Sequence, residues 1–261
     1  MIVVKFGGHA MKDENGNFAK AISAALAEGE KVVVVHGGGP QIDAALKAKS
    51  ITSDWIGGFR VTTQEIFDVV EDVLVNQVGQ EVATTLSKSG ISAKAISARS
   101  LPTVVAKRRT TLIDGTPAEL GFVGDVQSVN PSRLLELLAD GFVPVVAPIS
   151  SDEDLKTGLN VNADFAAAAI AASLQASALI VMTDVAGIYR NWPDKSSLID
   201  LIHADELESI KGGFAEGMAP KVQAALDALS FGAKAVRIID GTDPDSFASA
   251  LAGRGGTLVV A

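Results

Sequence analysis

Three charged residues in this sequence stand where a strand or helix end would present them: Lys5, Asp164 and Lys221. Lys5 interrupts the apolar run Ile2-Val3-Val4-Lys5-Phe6 and is followed at once by Gly7-Gly8. A lysine at a strand tip is a mobile point charge suited to phosphate, or a side chain that simply reaches for solvent. Lys221 follows Gly212-Gly213-Phe214-Ala215-Glu216-Gly217-Met218-Ala219-Pro220. Proline suits the first helical turn, and a cation there opposes the helix dipole unless an anion binds as well. Asp164 closes Asn160-Val161-Asn162-Ala163-Asp164, where three capping-type residues alternate although a helix start needs one. The surplus suits a polar cluster in which Asp164 holds lysines and Asn160 meets a polar ligand.

Glycine supplies the second ingredient. Val32-Val33-Val34-Val35-His36-Gly37-Gly38-Gly39-Pro40 reads as a buried strand, a glycine turn and a helix start. Such a turn lets backbone N–H groups approach an anion at a helix N-terminus, although a plain tight turn has the same composition. Triple glycine is expected where a Cβ would block that approach. Thr183-Asp184 ends another strand-like run, and Asp184 either accepts hydrogen bonds from a ligand or serves its own turn. No general base or nucleophile accompanies these residues. Phosphoryl transfer needs little covalent help from protein; it needs positioning and positive charge around the γ-phosphoryl group and its Mg²⁺. The inventory suits an acceptor that is already ionised, such as a carboxylate.

The elements that position these residues alternate. Strands are expected at 2–6, 31–36, 93–96, 143–147, 178–183, 236–239 and 258–260, and helices at 17–28, 40–49, 63–89, 131–140, 164–173, 220–231 and 245–252. This alternation predicts a mostly parallel sheet with helices on both faces. The long helix 63–89 has Thr62 or Thr63 as its N-cap and Gly90 as its stop. Between 102 and 129 the pattern predicts an antiparallel hairpin at a sheet edge, and its basic run Lys107-Arg108-Arg109 reads as a solvated face. The 261 residues suit one large domain or two fused lobes. A net charge of −9 argues against a nucleic-acid partner. With no cysteine and three histidines, thiolate chemistry is excluded and a dedicated transition-metal site is not expected. The uncharged stretch 165–182 is mostly alanine and parses as a buried helix followed by a strand, not as a membrane span. A cytoplasmic protein is the expectation.

These motifs, in order, resemble the amino-acid kinase family, and within it the members that phosphorylate N-acetyl-L-glutamate. The resemblance rests on Lys5-Phe6-Gly7-Gly8, His36-Gly37-Gly38-Gly39-Pro40, Gly58-Phe59-Arg60-Val61-Thr62 and Gly121-Phe122-Val123-Gly124-Asp125. It continues through Asn160 to Asp164, Thr183-Asp184-Val185-Ala186-Gly187 and Gly217-Met218-Ala219-Pro220-Lys221. It implies a three-layer α/β/α sandwich around a mostly parallel central sheet. Residues 1–150 would bind the acyl amino acid and form the dimer interface, and 151–261 would bind ATP, within one continuous sheet. The implied reaction makes an acyl phosphate on the γ-carboxylate of N-acetyl-L-glutamate, with Mg²⁺ held mainly through the phosphates of ATP.

Roles carry over by position. Lys5 and Lys221 match transition-state lysines, and Asp164 the aspartate that holds both. Gly8, Gly38 and Gly39 match glycines facing the phosphoryl group or substrate, Arg60 the clamp on the α-carboxylate, and Asn160 a contact to the bound amino acid. Asp184, Val185, Ala186, Gly187, Ile188 and Tyr189, with Gly213, Phe214, Ala215 and Met218, match segments lining the nucleotide. His9 stands where asparagine is common and Phe6 where tyrosine is frequent, and 96–104 lacks a glycine-rich run; these departures touch the substrate side. Arginine-inhibited hexameric members carry a helix before the first strand, so the expectation is an arginine-insensitive homodimer. Another kinase of the family, acting on carrier-linked aminoadipate, and a non-catalytic sensor stay open as alternatives.

Overall fold

The computed structural model describes residues 1–7, 16–100, 102–214 and 217–261. The chain runs β1 (Ile2–Phe6), α1 (Asn17–Ala27), β2 (Val32–His36), α2 (Gly39–Ala48), β3 (Trp55–Ile56), β4 (Phe59–Arg60) and α3 (Gln64–Glu71). A π-helical segment, Asp72–Val78, joins α3 to α4 (Gly79–Lys88); β5 (Ala93–Ser97), β6 (Val104–Arg108) and β7 (Val123–Val129) follow. Then come α5 (Ser132–Ala139), β8 (Val143–Ala147), β9 (Ile149–Ser151), β10 (Gly158–Val161), α6 (Ala163–Ser173) and β11 (Ala178–Thr183). The last are β12 (Leu201–His203), α7 (Ala204–Ile210), α8 (Ala219–Ser230), β13 (Ala235–Asp240), α9 (Ser246–Leu251) and β14 (Thr257–Val260).

Among the described residues, eight strands form one sheet in the order β12-β14-β13-β11-β1-β2-β8-β5. Every neighbouring pair is parallel except β13 and β14. Central parallel strands are covered on both faces, which explains the valine run of β2 and the wholly apolar β8. Alternation along β1 feeds two cores. Ile2, Val4 and Phe6 pack with α1 to α4 and α9; Val3 packs with α5 to α8. The result is the expected three-layer α/β/α sandwich. The stretch 165–182 divides into α6 and β11 as expected, and among the described residues no helix is long and apolar enough to cross a membrane.

Three expectations change. The long helix keeps its ends, with the Thr63 hydroxyl accepting from the Ile66 N–H and Gly90 at φ +82°, but its middle widens to a π-helix. The 102–129 hairpin is not an edge of the main sheet. Instead β6 and β7 pair with β9 and β10, and the four close on themselves. Finally, β12 and α7 occupy a stretch without a predicted element.

Candidate active site

Strand order reverses direction at β1, whose two neighbours, β2 and β11, come from different halves of the chain. In open α/β sheets the crevice at the carboxyl ends of such strands is where ligands bind. A cavity of about 520 Å³ opens there, lined by Lys5, Gly7, Gly37, Asp164, Asp184 and Lys221, among others.

Its centre is an ion triad built from three elements. The pleat that sends Val3 toward α6 sends Lys5 the same way. Asp164 sits in the first turn of α6, where the Asn162 side chain caps the helix by accepting from the Asp164 N–H at 2.8 Å. Capping therefore belongs to Asn162, which leaves the Asp164 carboxylate free to meet cations. Its Oδ1 lies 3.2 Å from Lys5 Nζ and its Oδ2 3.2 Å from Lys221 Nζ, in the first turn of α8. The pair to Lys221 is a hydrogen bond; the contact to Lys5 is an ion pair without hydrogen-bond alignment. Lys5 also donates to the Met182 carbonyl at 3.4 Å. The side chains are 9%, 5% and 18% exposed for Lys5, Asp164 and Lys221.

Burial works against the Asp164 charge, but the two ammonium groups outweigh it and hold the carboxyl down at about 2. Asp164 raises Lys221 against a weaker opposing effect of burial. Burial lowers Lys5 despite Asp164, and the like charge of Lys221 adds to that lowering. An ionised carboxylate between two ammonium groups is a poor proton acceptor and a firm anchor.

Above the triad, Gly37, Gly38 and Gly39 line the cavity at the tip of β2. Only Gly38 is required by surrounding protein: a Cβ there would stand 2.5 Å from Leu74 Cδ2. At Gly37 the nearest atom would be 3.7 Å away, and at Gly39 nothing lies within 4 Å. Protein packing therefore explains glycine at Gly38 alone; the expectation for all three concerns an anion's approach to the backbone, not packing.

The cavity is also lined by Arg60, whose side chain is 4% exposed. Its Nη2 pairs with Asp43 Oδ1 at 2.7 Å, its Nη1 donates to Ser53 Oγ at 2.6 Å, and its guanidinium carbon lies 4.6 Å from the Trp55 ring centre. Asn160 Nδ2 donates to Thr62 Oγ1 at 3.2 Å, and that hydroxyl donates to the Arg60 carbonyl at 2.8 Å. Gly121 completes the link: at φ +70°, with the Thr62 carbonyl where its Cβ would fall, it pairs with Thr62.

The sequence matches the profile of the amino acid kinase family over residues 1–240. The chain belongs to that family. A Beutenbergia cavernae protein named acetylglutamate kinase is 45% identical over 94% of this chain and 79% of its own length. The solved Streptococcus mutans protein smu.665 is 28% identical, with a TM-score of 0.83 over 99% of this chain and 98% of that one. N-acetylglutamate synthase from Neisseria gonorrhoeae, solved with coenzyme A and N-acetyl-glutamate, shares the fold at 24% identity. Its TM-score is 0.83 over all of this chain and 59% of its own.

In this amino acid kinase the cavity gathers Lys5, Gly38, Gly39, Arg60, Asn160, Asp164, Asp184 and Lys221. Asp184 accepts from the Thr183 hydroxyl at 3.0 Å. Val185, Ala186, Gly187, Ile188, Tyr189, Gly213, Phe214 and Met218 stand outside the lining. The Ile188 side chain is fully buried and its N–H donates to Thr257 Oγ1; a Cβ on Gly187 would meet that same oxygen at 2.4 Å. Both therefore pack the strand ends together. Gly8, His9 and Ala215 lie outside the described residues. Asp43, Ser53, Trp55 and Leu74 join the site unforeseen, because nothing in their local pattern marks them.

Proposed function

We propose that this chain transfers the γ-phosphoryl group of ATP to the γ-carboxylate of N-acetyl-L-glutamate, forming N-acetyl-L-glutamyl 5-phosphate for arginine biosynthesis. The buried Lys5–Asp164–Lys221 triad carries the reading. It holds two cations on the cavity wall around an ionised carboxylate, an arrangement that suits charge building on a migrating phosphoryl group. A carboxylate acceptor needs no proton removed, so the want of a poised base among the described residues fits this chemistry. Relatives named acetylglutamate kinase at 45% identity support the choice of acceptor.

Residues 1–150 supply Lys5, the glycine turn and Arg60, and we assign them the acyl amino acid and a homodimer interface. Residues 151–261 supply Asp164, Asp184 and Lys221, and we assign them ATP, with 184–189, Gly213, Phe214, Ala215 and Met218 toward the nucleotide. Asn160, tied to Thr62, faces the acceptor. Gly8, Gly38 and Gly39 would offer N–H groups to phosphoryl or substrate oxygens. Mg²⁺ fits an arrival on the nucleotide phosphates: both oxygens of Asp164 are committed to lysines, and among the described residues Asp184 is the other carboxylate lining the cavity. When bound, the ion would neutralise phosphate charge. A cytoplasmic location goes with this reading, and sizing chromatography of the intact chain checks the dimer.

Hydroxamate trapping with MgATP and N-acetyl-L-glutamate tests the reaction. We expect an acyl phosphate from this acceptor and a fall in kcat of about 10²–10³ for Lys5→Ala or Lys221→Ala, the scale for losing one transition-state donor. Product from a different carboxylate and none from this one would refute the assignment.

A further inference from the structure

The basic run Lys107-Arg108-Arg109 takes no part in the chemistry above, yet its last residue is not a solvated charge. Arg109 directly follows β6, and its side chain is 11% exposed. Its guanidinium carbon lies 4.5 Å from the ring centre of Phe59 and 5.4 Å from that of Phe165. The two rings are 6.2 Å apart and 11° from parallel, so the three groups form a triangle in which one cation meets both rings. Both distances fall within the reach of cation–π attraction. Arg109 Nε donates to the Thr111 carbonyl at 2.8 Å and Nη1 to Asp125 at 3.0 Å, which fixes the guanidinium plane.

Each ring adjoins a residue of the site. Phe59 precedes Arg60 in β4, and Phe165 follows Asp164 in α6. The β3–β4 hairpin has two residues per strand, and a hairpin that short is marginal without outside support. That support comes from Phe59, packed with Leu120 and Val123 in a separate apolar cluster that Phe165 borders, from backbone bonds at Val61 and Thr62, and from the Arg60 pairs to Asp43 and Ser53. We propose that Arg109 is a positioning residue that clasps the hairpin carrying Arg60 to the helix carrying Asp164. It thereby sets the distance between the carboxylate clamp and the phosphoryl end of the cavity. The inference rests on the acceptor-clamping part given to Arg60 above.

Two variants separate charge from flatness. Arg109→Lys keeps a cation for Asp125 but lacks the planar group; Arg109→Met lacks both. Arg109→Met is expected to raise the KM for N-acetyl-L-glutamate about 10-fold, the scale of a desolvated cation–π contact, and Arg109→Lys about 3- to 10-fold, because an ammonium lacks the plane that meets both rings while holding Thr111 and Asp125. The KM for ATP and kcat should move less than about twofold. In an Arg60→Ala background the effect of Arg109→Met on that KM should disappear, which a merely structural part would not produce. Hydrogen exchange in the ligand-free protein needs no substrate and so judges the clasp even if another acceptor proves right. Amides of 55–60 should exchange faster in both variants while those of β1, β2 and β11 keep their protection. Wild-type behaviour of Arg109→Lys, a full effect in the Arg60→Ala background, or unchanged exchange at 55–60 would each overturn the clasp. Should Arg109→Met fail to fold, Arg109→Lys carries the test.

Discussion

At the residue scale, the parts of the site visible in the sequence were those that broke a local rule. Lys5 is a cation inside an apolar strand, Lys221 a cation at the wrong end of a helix, and Asp164 one capping residue too many. Arg109 broke none, because its ring partners Phe59 and Phe165 are remote in sequence and a basic triplet is ordinary on a surface. His36 was equally silent. It ends β2 fully buried, and since the Gly37 carbonyl 2.8 Å from Nδ1 can only accept, the ring carries its proton on that nitrogen. Nε2 has no partner and faces Gly79, where a Cβ would stand 3.0 Å away. Burial, only partly opposed by the Gly37 hydrogen bond, holds the ring down at about 4 against an ordinary 6.5. Between those values the unfolded chain binds the proton and the folded protein does not. The stabilising effect is therefore present above pH 6.5 and lost as pH falls toward 4. The full loss is on the order of 3 kcal/mol. Urea unfolding at several pH values across this window checks it: His36→Asn should flatten the slope, and an unaltered slope would acquit the ring.

At the element scale, β1, β2, β8 and β11 were legible because buried parallel strands demand continuous apolar runs. The π-helical segment was not, since its residues suit an α-helix equally well and only the hydrogen-bond ladder differs. Nor were β9, β10 and β12, which are short and owe their existence to distant partners. The π turn seats Leu74 under Gly38. Gly38→Ala would force that side chain, 2% exposed, out of its place. We expect a loss of about 1–3 kcal/mol, the usual cost of overpacking. Combining it with Leu74→Ala should cost less than the sum of the two single changes. Gly39→Ala, with open space around it, should leave the protein as stable or up to about 1 kcal/mol more so, from helix propensity. Denaturant midpoints of the four variants decide the matter; strict additivity for the Gly38 and Leu74 pair would mean the two do not touch.

At the scale of the whole molecule, the alternation of strands and helices gave the sandwich, but no pattern in the sequence says that β1 lies beside β11. That adjacency joins the two halves of the chain into one sheet, and a boundary after residue 150 falls inside β9. A fragment 1–150 would keep β1 without β11 and would lose α6, which covers Val3, Val33 and Val35. We expect no cooperative thermal transition from it by circular dichroism; a sharp one would show that the first half holds a core of its own. The same adjacency bears on the triad. Two ammonium groups share one carboxylate, nearly dry, on the seam where the halves meet, and Asp184 stands as a second counter-charge on the cavity wall. Lys5 comes from the first half of the chain and Asp164 and Lys221 from the second. The triad is therefore a rivet as well as a reaction centre, and an anion that meets both ammonium groups grips both halves at once.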